Sequence, residues 1–275
     1  MSKTRPLYRL YEQRLEAGLP PEQLPGHVGV LVDGNRRWAE QSGGSTADGH
    51  RAGAEKIIEF LGWCRDLEIP HVTLYVLSTE NLKRPAEELG PLLEIIAELM
   101  SSLQTRSLCQ VQAVGALEML PDDLRGSIRE LERATVGNEG PHLNIAVGYG
   151  GRQEIVDAVR EIFAGALERG EDVAELVQRL SVDDISEHLY TRGQPDPDLL
   201  IRTSGEQRLS GFLMWQSAYS EYHFCEALWP DFRYVDFLRA LRDYANRHRR
   251  FGGLSARPTR PVRARRSREH PVPLR

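Results

Sequence analysis

Apolar residues in this chain gather into short, nearly continuous runs, and between the runs they recur every three or four positions. The runs His27 to Val32, Val72 to Leu77, Gln110 to Gly115, Leu143 to Val147, Leu199 to Arg202 and Tyr222 to Ala227 predict strands. Helical spacing fills the gaps. Gly49 to Leu67 places Ala54, Ile57, Ile58, Leu61 and Cys64 on one face, and Leu92 to Leu103 does so with Leu92, Leu93, Ile96, Leu99 and Leu103. Arg152 to Leu167 and Tyr234 to Arg249 follow the same rule. Pro91 has no amide proton to donate, so the second helix should begin near it or kink there. Apolar strands alternating with helices imply an α/β fold: a single domain whose mostly parallel central sheet of about six strands is flanked by helices.

The two ends depart from this pattern. Residues Pro6 to Leu19 set Leu7, Leu10, Tyr11 and Leu15 near helical spacing among Arg9, Arg14 and Glu16, and Gly18 with Pro20 and Pro21 stops them. This predicts a short amphipathic helix and linker over 1–24, docked on the protein, with contact to a membrane surface as the alternative. From Leu254 onward, seven arginines among four prolines leave no apolar face to bury. Residues 254–275 therefore read as a basic disordered tail, and 25–253 as the folded unit.

Candidate chemistry sits where strands end. The first run stops abruptly on Asp33, Gly34, Asn35, Arg36 and Arg37. In parallel sheets ligands bind beyond the carboxyl ends of the strands. A carboxylate there can ligate a divalent ion, arginines can pair with phosphate oxygens, and glycine lets the backbone approach. A second cluster, Arg202, Thr203, Ser204, Gly205, Glu206 and Arg208, follows the strand at Leu199 and leads through an aromatic stretch to Glu221. A third, Ser78, Thr79, Glu80, Asn81 and Arg84, closes the strand that starts at Val72. Guanidinium binds phosphate bidentately, so such clusters suit a polyphosphate.

Composition narrows the field. A net charge of −5 in 275 residues argues against general nucleic-acid binding, which depends on neutralising many phosphates. Cys64, Cys109 and Cys225 are widely spaced and odd in number, which disfavours structural disulfides and a zinc site and suits a reducing cytoplasm. The start, MSKTRPLYRLYEQRLEAGL, holds no uninterrupted apolar core of a signal peptide, and no spanning segment follows.

The strings HVGVLVDGNRRW, GHRAGA, LSTENLKRP, LNIAVGYGGR, IRTSGEQRLSGFLMWQSAYSE, LWPDF and RRFGG closely resemble, in order and spacing, the cis-prenyltransferases. These are the undecaprenyl diphosphate synthase family of isoprenyl transferases, and the likeness runs from His27 to Gly253. It implies a catalytic domain that joins isopentenyl diphosphate to an allylic diphosphate (geranyl or farnesyl), leaving a new cis double bond. It further implies Mg2+, a homodimer, a cytoplasmic protein with at most peripheral membrane contact, and an apolar tunnel for the growing chain.

By the same resemblance Asp33 is the catalytic, metal-side carboxylate, and Gly34, Asn35, Arg36, Arg37, Trp38 and His50 line the allylic diphosphate site. Arg202, Arg208, Leu209 and Ser210 match the isopentenyl diphosphate site, and Glu221 the second metal-associated carboxylate, near the partner subunit. Asn81 stands at the proton-removal step, with Ser78, Thr79, Glu80, Leu82 and Arg84 around it. An amide is a poor base, so a diphosphate oxygen or relayed water is the better acceptor and Asn81 is read as positioned there.

The chain departs from the family pattern in four places: Arg36 replaces a common glycine, Thr46 an arginine, Leu82 a tryptophan of long-chain members, and Gly148 an asparagine. Val76 and Leu77 stand where long-chain synthases keep a small residue. Each five-carbon extension gains about 4 kcal/mol of burial at roughly 0.8 kcal/mol per methylene, so a wall rather than affinity must stop growth. The expectation is a short product, near the fifteen-carbon class, such as Z,E-farnesyl diphosphate, as in actinobacterial short-chain Z-isoprenyl diphosphate synthases. The alternatives are a longer-chain decaprenyl or undecaprenyl diphosphate synthase, a metal-dependent diphosphate hydrolase, or a non-catalytic subunit. Trans-type prenyltransferases are disfavoured, since Asp122-Asp123 and Asp183-Asp184 complete no DDxxD.

Overall fold

Every strand pairing is parallel in the computed structural model, which describes residues 5–247. The strands are β1 (His27–Leu31), β2 (His71–Ser78), β3 (Gln110–Val114), β4 (His142–Tyr149), β5 (Leu199–Arg202) and β6 (Glu221–Phe224). They form one sheet in the order β3-β4-β2-β1-β5-β6. Apolar matching sets the register: Val28 lies beside Val72 and Leu199, and Val30 beside Leu74 and Ile201. The helices are α1 (Arg5–Glu16), α2 (Asn35–Ser42), α3 (Thr46–Asp66), α4 (Ala86–Arg106), α5 (Asp122–Ala134), α6 (Gly151–Glu168), α7 (Val173–Arg179), α8 (Val182–Ser186) and α9 (Tyr234–Asn246).

The sheet's faces are unequal. Val28, Val30, Val72, Leu74, Leu143, Ile145, Leu199 and Ile201 open onto the main core, shared with α3, α4, α5 and α9. Phe60 of α3 is fully buried there against Trp229 and Phe237, and truncating such a side chain costs about 3–5 kcal/mol. The opposite face holds a smaller cluster of Leu31, Ala146, Tyr149, Leu200, Phe212 and Leu213. Gly29 belongs to it by absence: an added Cβ would lie 2.2 Å from Leu200 and 3.2 Å from Phe212.

Several boundaries differ from the sequence reading. α3 starts earlier, at Thr46, because Ser45 and Asp48 form a reciprocal capping box. α4 starts at Ala86 on the N-cap Pro85 and carries Pro91 inside it. Near the helix start, the missing amide of Pro91 costs only the one bond to Glu87. α2, α5, α7 and α8 were not anticipated; none exceeds 13 residues. At the chain start α1 docks on α9: Arg233 lies over the Tyr8 ring at 5.5 Å, Arg239 over Tyr11 at 5.7 Å, and Leu15 joins the main core. Arg249, the RRFGG string and the tail lie outside the described residues. Among the described residues no helix is long and apolar enough to cross a membrane, and the three cysteines are unpaired.

Candidate active site

β1 and β5 are neighbours whose onward connections leave in opposite directions, β1 toward β2 and β5 toward β6. Such a switch point opens a crevice beyond the strand ends. Here it is a cavity of about 1390 Å³, lined from β1, β2, β5 and the turns that follow them.

Asp33 leaves β1 with its backbone tied to the far strand: its amide donates to Thr203 Oγ1 at 3.0 Å, and that hydroxyl donates to the Asp33 carbonyl at 2.8 Å. Its carboxylate accepts from Arg202 at 2.7 Å and from Ser204 Oγ at 2.9 Å, both through Oδ2. Burial acts to raise the Asp33 carboxyl. The Arg202 and Ser204 hydrogen bonds and the charges of Arg202 and Arg37 outweigh it and hold the group below its ordinary value. Asp33 is therefore ionised at neutral pH. Arg202 is 5 % exposed, also donates to Ser210 Oγ at 3.0 Å and to the Arg208 carbonyl, and has a buried Nε without a protein partner.

The backbone around this pair is strained. Ser204 has φ +79 and Ser210 φ +49, in the left-handed region that L-residues avoid. Ser204 is held there by its amide bond to the Ala227 carbonyl at 2.7 Å and its hydroxyl bond to Asp33. On the other side, Gly34 has φ +107 and leads into α2, while Gly49 and Gly53 let α3 close on it. A Cβ at Gly53 would sit 2.5 Å from Asn35 Oδ1.

Arg36, Arg37 and Arg84 reach the cavity beside His50. Burial, with the charges of Arg84 and Arg36, pushes His50 down to about 4, against an opposing pull from Glu88. His50 is thus neutral, and its buried Nε2 has no protein partner. Asn81 is committed locally: its Oδ1 accepts from the Ser78 amide at 3.2 Å, while Ser78 Oγ accepts from the Asn81 amide at 3.1 Å. Leu209, Ser210, Arg208, Ser78, Thr79, Glu80 and Val76 complete the expected lining.

Four expected residues lie elsewhere. Trp38 packs away from the cavity and donates to Asp231 at 3.0 Å. Leu82 packs against the main core. Leu77 is fully buried in that core because β2 shifts register between Tyr75 and Leu77, a bulge that sends Val76 alone toward the cavity. Glu221 begins β6, so in a parallel sheet it sits at the amino end, where Arg247 pairs with it at 2.7 Å. Residues not anticipated include Arg152 and Gly151 at the start of α6, while Glu206 of the second polar cluster also lines the cavity, meets Arg208 and lies 4.0 Å from Arg37. The GYGGR turn was the available signal for the first two.

Among the described residues no group of three or more His, Cys, Asp or Glu is arranged to hold a metal ion. Magnesium asks for less: it keeps waters and takes one or two carboxylates plus substrate phosphates. An ionised Asp33 at the cavity wall fits that demand. Adjoining the cavity is a mostly apolar recess of about 30 Å³, bounded by Ala54, Ile57, Val76, Leu92, Ile96 and Leu99 together with Asn35 and His50.

A parallel α/β sheet thus carries, beyond its strand ends, an arginine-rich cavity with a small recess beside it. The protein-family model described as putative undecaprenyl diphosphate synthase matches residues 31–252, and the chain belongs to that family of prenyltransferases. It is 57 % identical over 252 residues to a (2Z,6E)-farnesyl diphosphate synthase of Thermobifida fusca, covering 90 % of this chain and 97 % of the relative. It is 53 % identical over 251 residues to a short-chain Z-isoprenyl diphosphate synthase of Mycobacterium bovis, covering 90 % and 96 %. The crystal structure of lavandulyl diphosphate synthase from Lavandula x intermedia, in complex with dimethylallyl diphosphate, superposes with a TM-score of 0.78 at 34 % identity. That match covers 84 % of this chain and 100 % of the lavender chain.

Proposed function

We propose that this enzyme condenses isopentenyl diphosphate with a short allylic diphosphate, geranyl diphosphate first among them, to give a Z-configured product near fifteen carbons. The observation that carries the reading is the ionised Asp33–Arg202 pair at the wall of a large cavity, with only a small recess beside Val76. The names of the relatives support the same product class.

The allylic carbon–oxygen bond breaks, its electron pair leaves with the diphosphate, and a carbon–carbon bond forms to the isopentenyl double bond. Arg36, Arg37 and Arg84 face the departing anion, where fixed positive charge lowers the barrier most. Asp33 is the residue that fits a magnesium ion brought with the diphosphate; bound there, the ion neutralises charge on the leaving group. Arg202, Arg208 and Ser210 hold the isopentenyl diphosphate. A proton then leaves the isopentenyl unit for a diphosphate oxygen. Asn81, its Oδ1 already engaged with the Ser78 amide, shapes the loop and does not take the proton.

The recess behind Val76 has room for about one or two waters, so on this reading Val76 is the wall that a lengthening chain meets. On this reading the working unit is a cytoplasmic homodimer touching membrane at most peripherally, and Glu221 serves the partner's side rather than its own cavity. The test supplies labelled isopentenyl diphosphate with primers of ten, fifteen and twenty carbons and sizes the products. A ten-carbon primer extended once is the expected result; chains of fifty carbons or more refute the short-product reading. In the same assay Val76→Ala should lengthen the product by at least one unit; an unchanged product puts the stop elsewhere.

A further inference from the structure

One acidic side chain holds two of the cavity's arginines without itself lining the cavity. Glu88, in the first turn of α4, presents one oxygen, Oε1, to Arg36 at 3.1 Å and to Arg84 at 2.9 Å. The two guanidiniums arrive from different elements, Arg36 from the start of α2 and Arg84 from the loop before α4. Both line the cavity; Glu88 stands behind them.

We propose that Glu88 is a positioning residue for the allylic diphosphate, holding Arg36 and Arg84 side by side as one anion clamp; this rests on the reaction proposed above. Each guanidinium carries five N–H donors in a fixed fork. Glu88 engages one nitrogen of each, leaving the other donors for phosphate oxygens. Two cations sharing one carboxylate keep a net positive charge, so the pair is aligned without losing its pull on an anion. The exposures of Arg36 and Glu88, 53 % and 28 %, mark this as a bridge of small worth to stability. Its effect is on geometry. Arg36 in particular starts α2 at the cavity wall with a half-exposed side chain, and this contact fixes where its guanidinium sits.

Kinetics of Glu88→Gln test the proposal, since glutamine keeps the shape and removes the charge. The KM for geranyl diphosphate should rise about tenfold, the loss of one charge-assisted contact, with kcat and the KM for isopentenyl diphosphate nearly unchanged. Equilibrium titration with geranyl diphosphate alone should show the same loss in Kd. Adding Glu88→Gln to Arg36→Gly should cost less than Glu88→Gln costs alone, because both act through one guanidinium. Unchanged or tighter geranyl diphosphate binding, equal KM rises for both substrates, or full additivity in the double variant overturns the proposal. A wild-type enzyme that fails to join the two diphosphates refutes the reaction instead, and that is read on wild type alone.

Discussion

At the amino end of the sheet, His27, His71 and His142 lie side by side across β1, β2 and β4, with ring centroids 5.9 and 5.8 Å apart. At the carboxyl end stand Asp33, Arg202 and their neighbours. Both ends carry ionisable side chains on the same strands, yet only the carboxyl end opens on the cavity described above. At the amino end most partners close on one another, and only the buried His71 Nδ1 is left without one among the three rings. The His27 Nδ1 proton goes to the Pro195 carbonyl at 2.7 Å, so Nε2 accepts from Thr73 Oγ1 at 2.8 Å, and Thr73 accepts from Asn144 at 3.1 Å. That chain of bonds fixes one neutral tautomer, and none of its members lines the strand-end cavity. At the carboxyl end donors are left over: Arg202 Nε and His50 Nε2 have no protein partner, strained serines shape the wall, and the cations converge on open space. Unspent hydrogen-bonding capacity that opens on a cavity, rather than polarity as such, sets the carboxyl end apart.

The contrast can be broken most decisively at Asp33. Asp33→Asn keeps the shape and the Ser204 contact but removes the charge, and kcat should fall about a thousandfold, the scale of losing a principal electrostatic group. The fold should persist by circular dichroism. His27→Gln, at the other end, should leave kcat at neutral pH within twofold. Comparable losses from both variants erase the distinction.

Acid stability sharpens it next. Burial, chiefly, holds His27 down to about 4 in the folded state, whereas the unfolded chain takes up a proton below about 6.5. The unfolded state therefore binds more protons in this window, and stability present above pH 6.5 is lost as pH falls toward 4. His27 alone contributes about 3 kcal/mol to that loss, and His71 and His142, also lowered by burial, act in the same direction. Urea unfolding from pH 7.5 to 4.5 should show the decline, with a shallower slope in His27→Gln. A flat profile in wild type contradicts a buried, neutral His27 beside half-buried His71 and His142.

The smallest effect is expected at Ser204. Ser204→Gly relieves a left-handed residue by about 1 kcal/mol but forfeits a hydrogen bond of similar worth to Asp33. Stability should stay nearly level while kcat drops several-fold. A loss of more than about 2 kcal/mol in urea unfolding would show that the φ of Ser204 stores no strain.

Much of this layout is legible in the sequence, because a strand that stops on DGNRR or RTSGE declares both its burial and its polar exit. The parallel sheet, the order of elements and most of the cavity wall follow from that pattern. What escaped was set by geometry beyond the period of a strand or helix. Strict alternation puts Val76 and Leu77 on opposite faces, and only the bulge in β2 turns Leu77 into the core. Glu221 shares a cluster with Arg202 in sequence, but the chain between them returns to the sheet's amino end before β6 begins. Glu88 looks like an ordinary charge at a helix start until Arg36, 52 residues away, closes on it.

The central claim is that the carboxyl-end cavity joins two diphosphates and does not simply cleave one. The direct measurement is pyrophosphate release from geranyl diphosphate with and without labelled isopentenyl diphosphate, each in the presence of magnesium. The account predicts negligible release from geranyl diphosphate alone and, with both substrates, one pyrophosphate for every labelled five-carbon unit built into product. Equal release in the absence of isopentenyl diphosphate would contradict it.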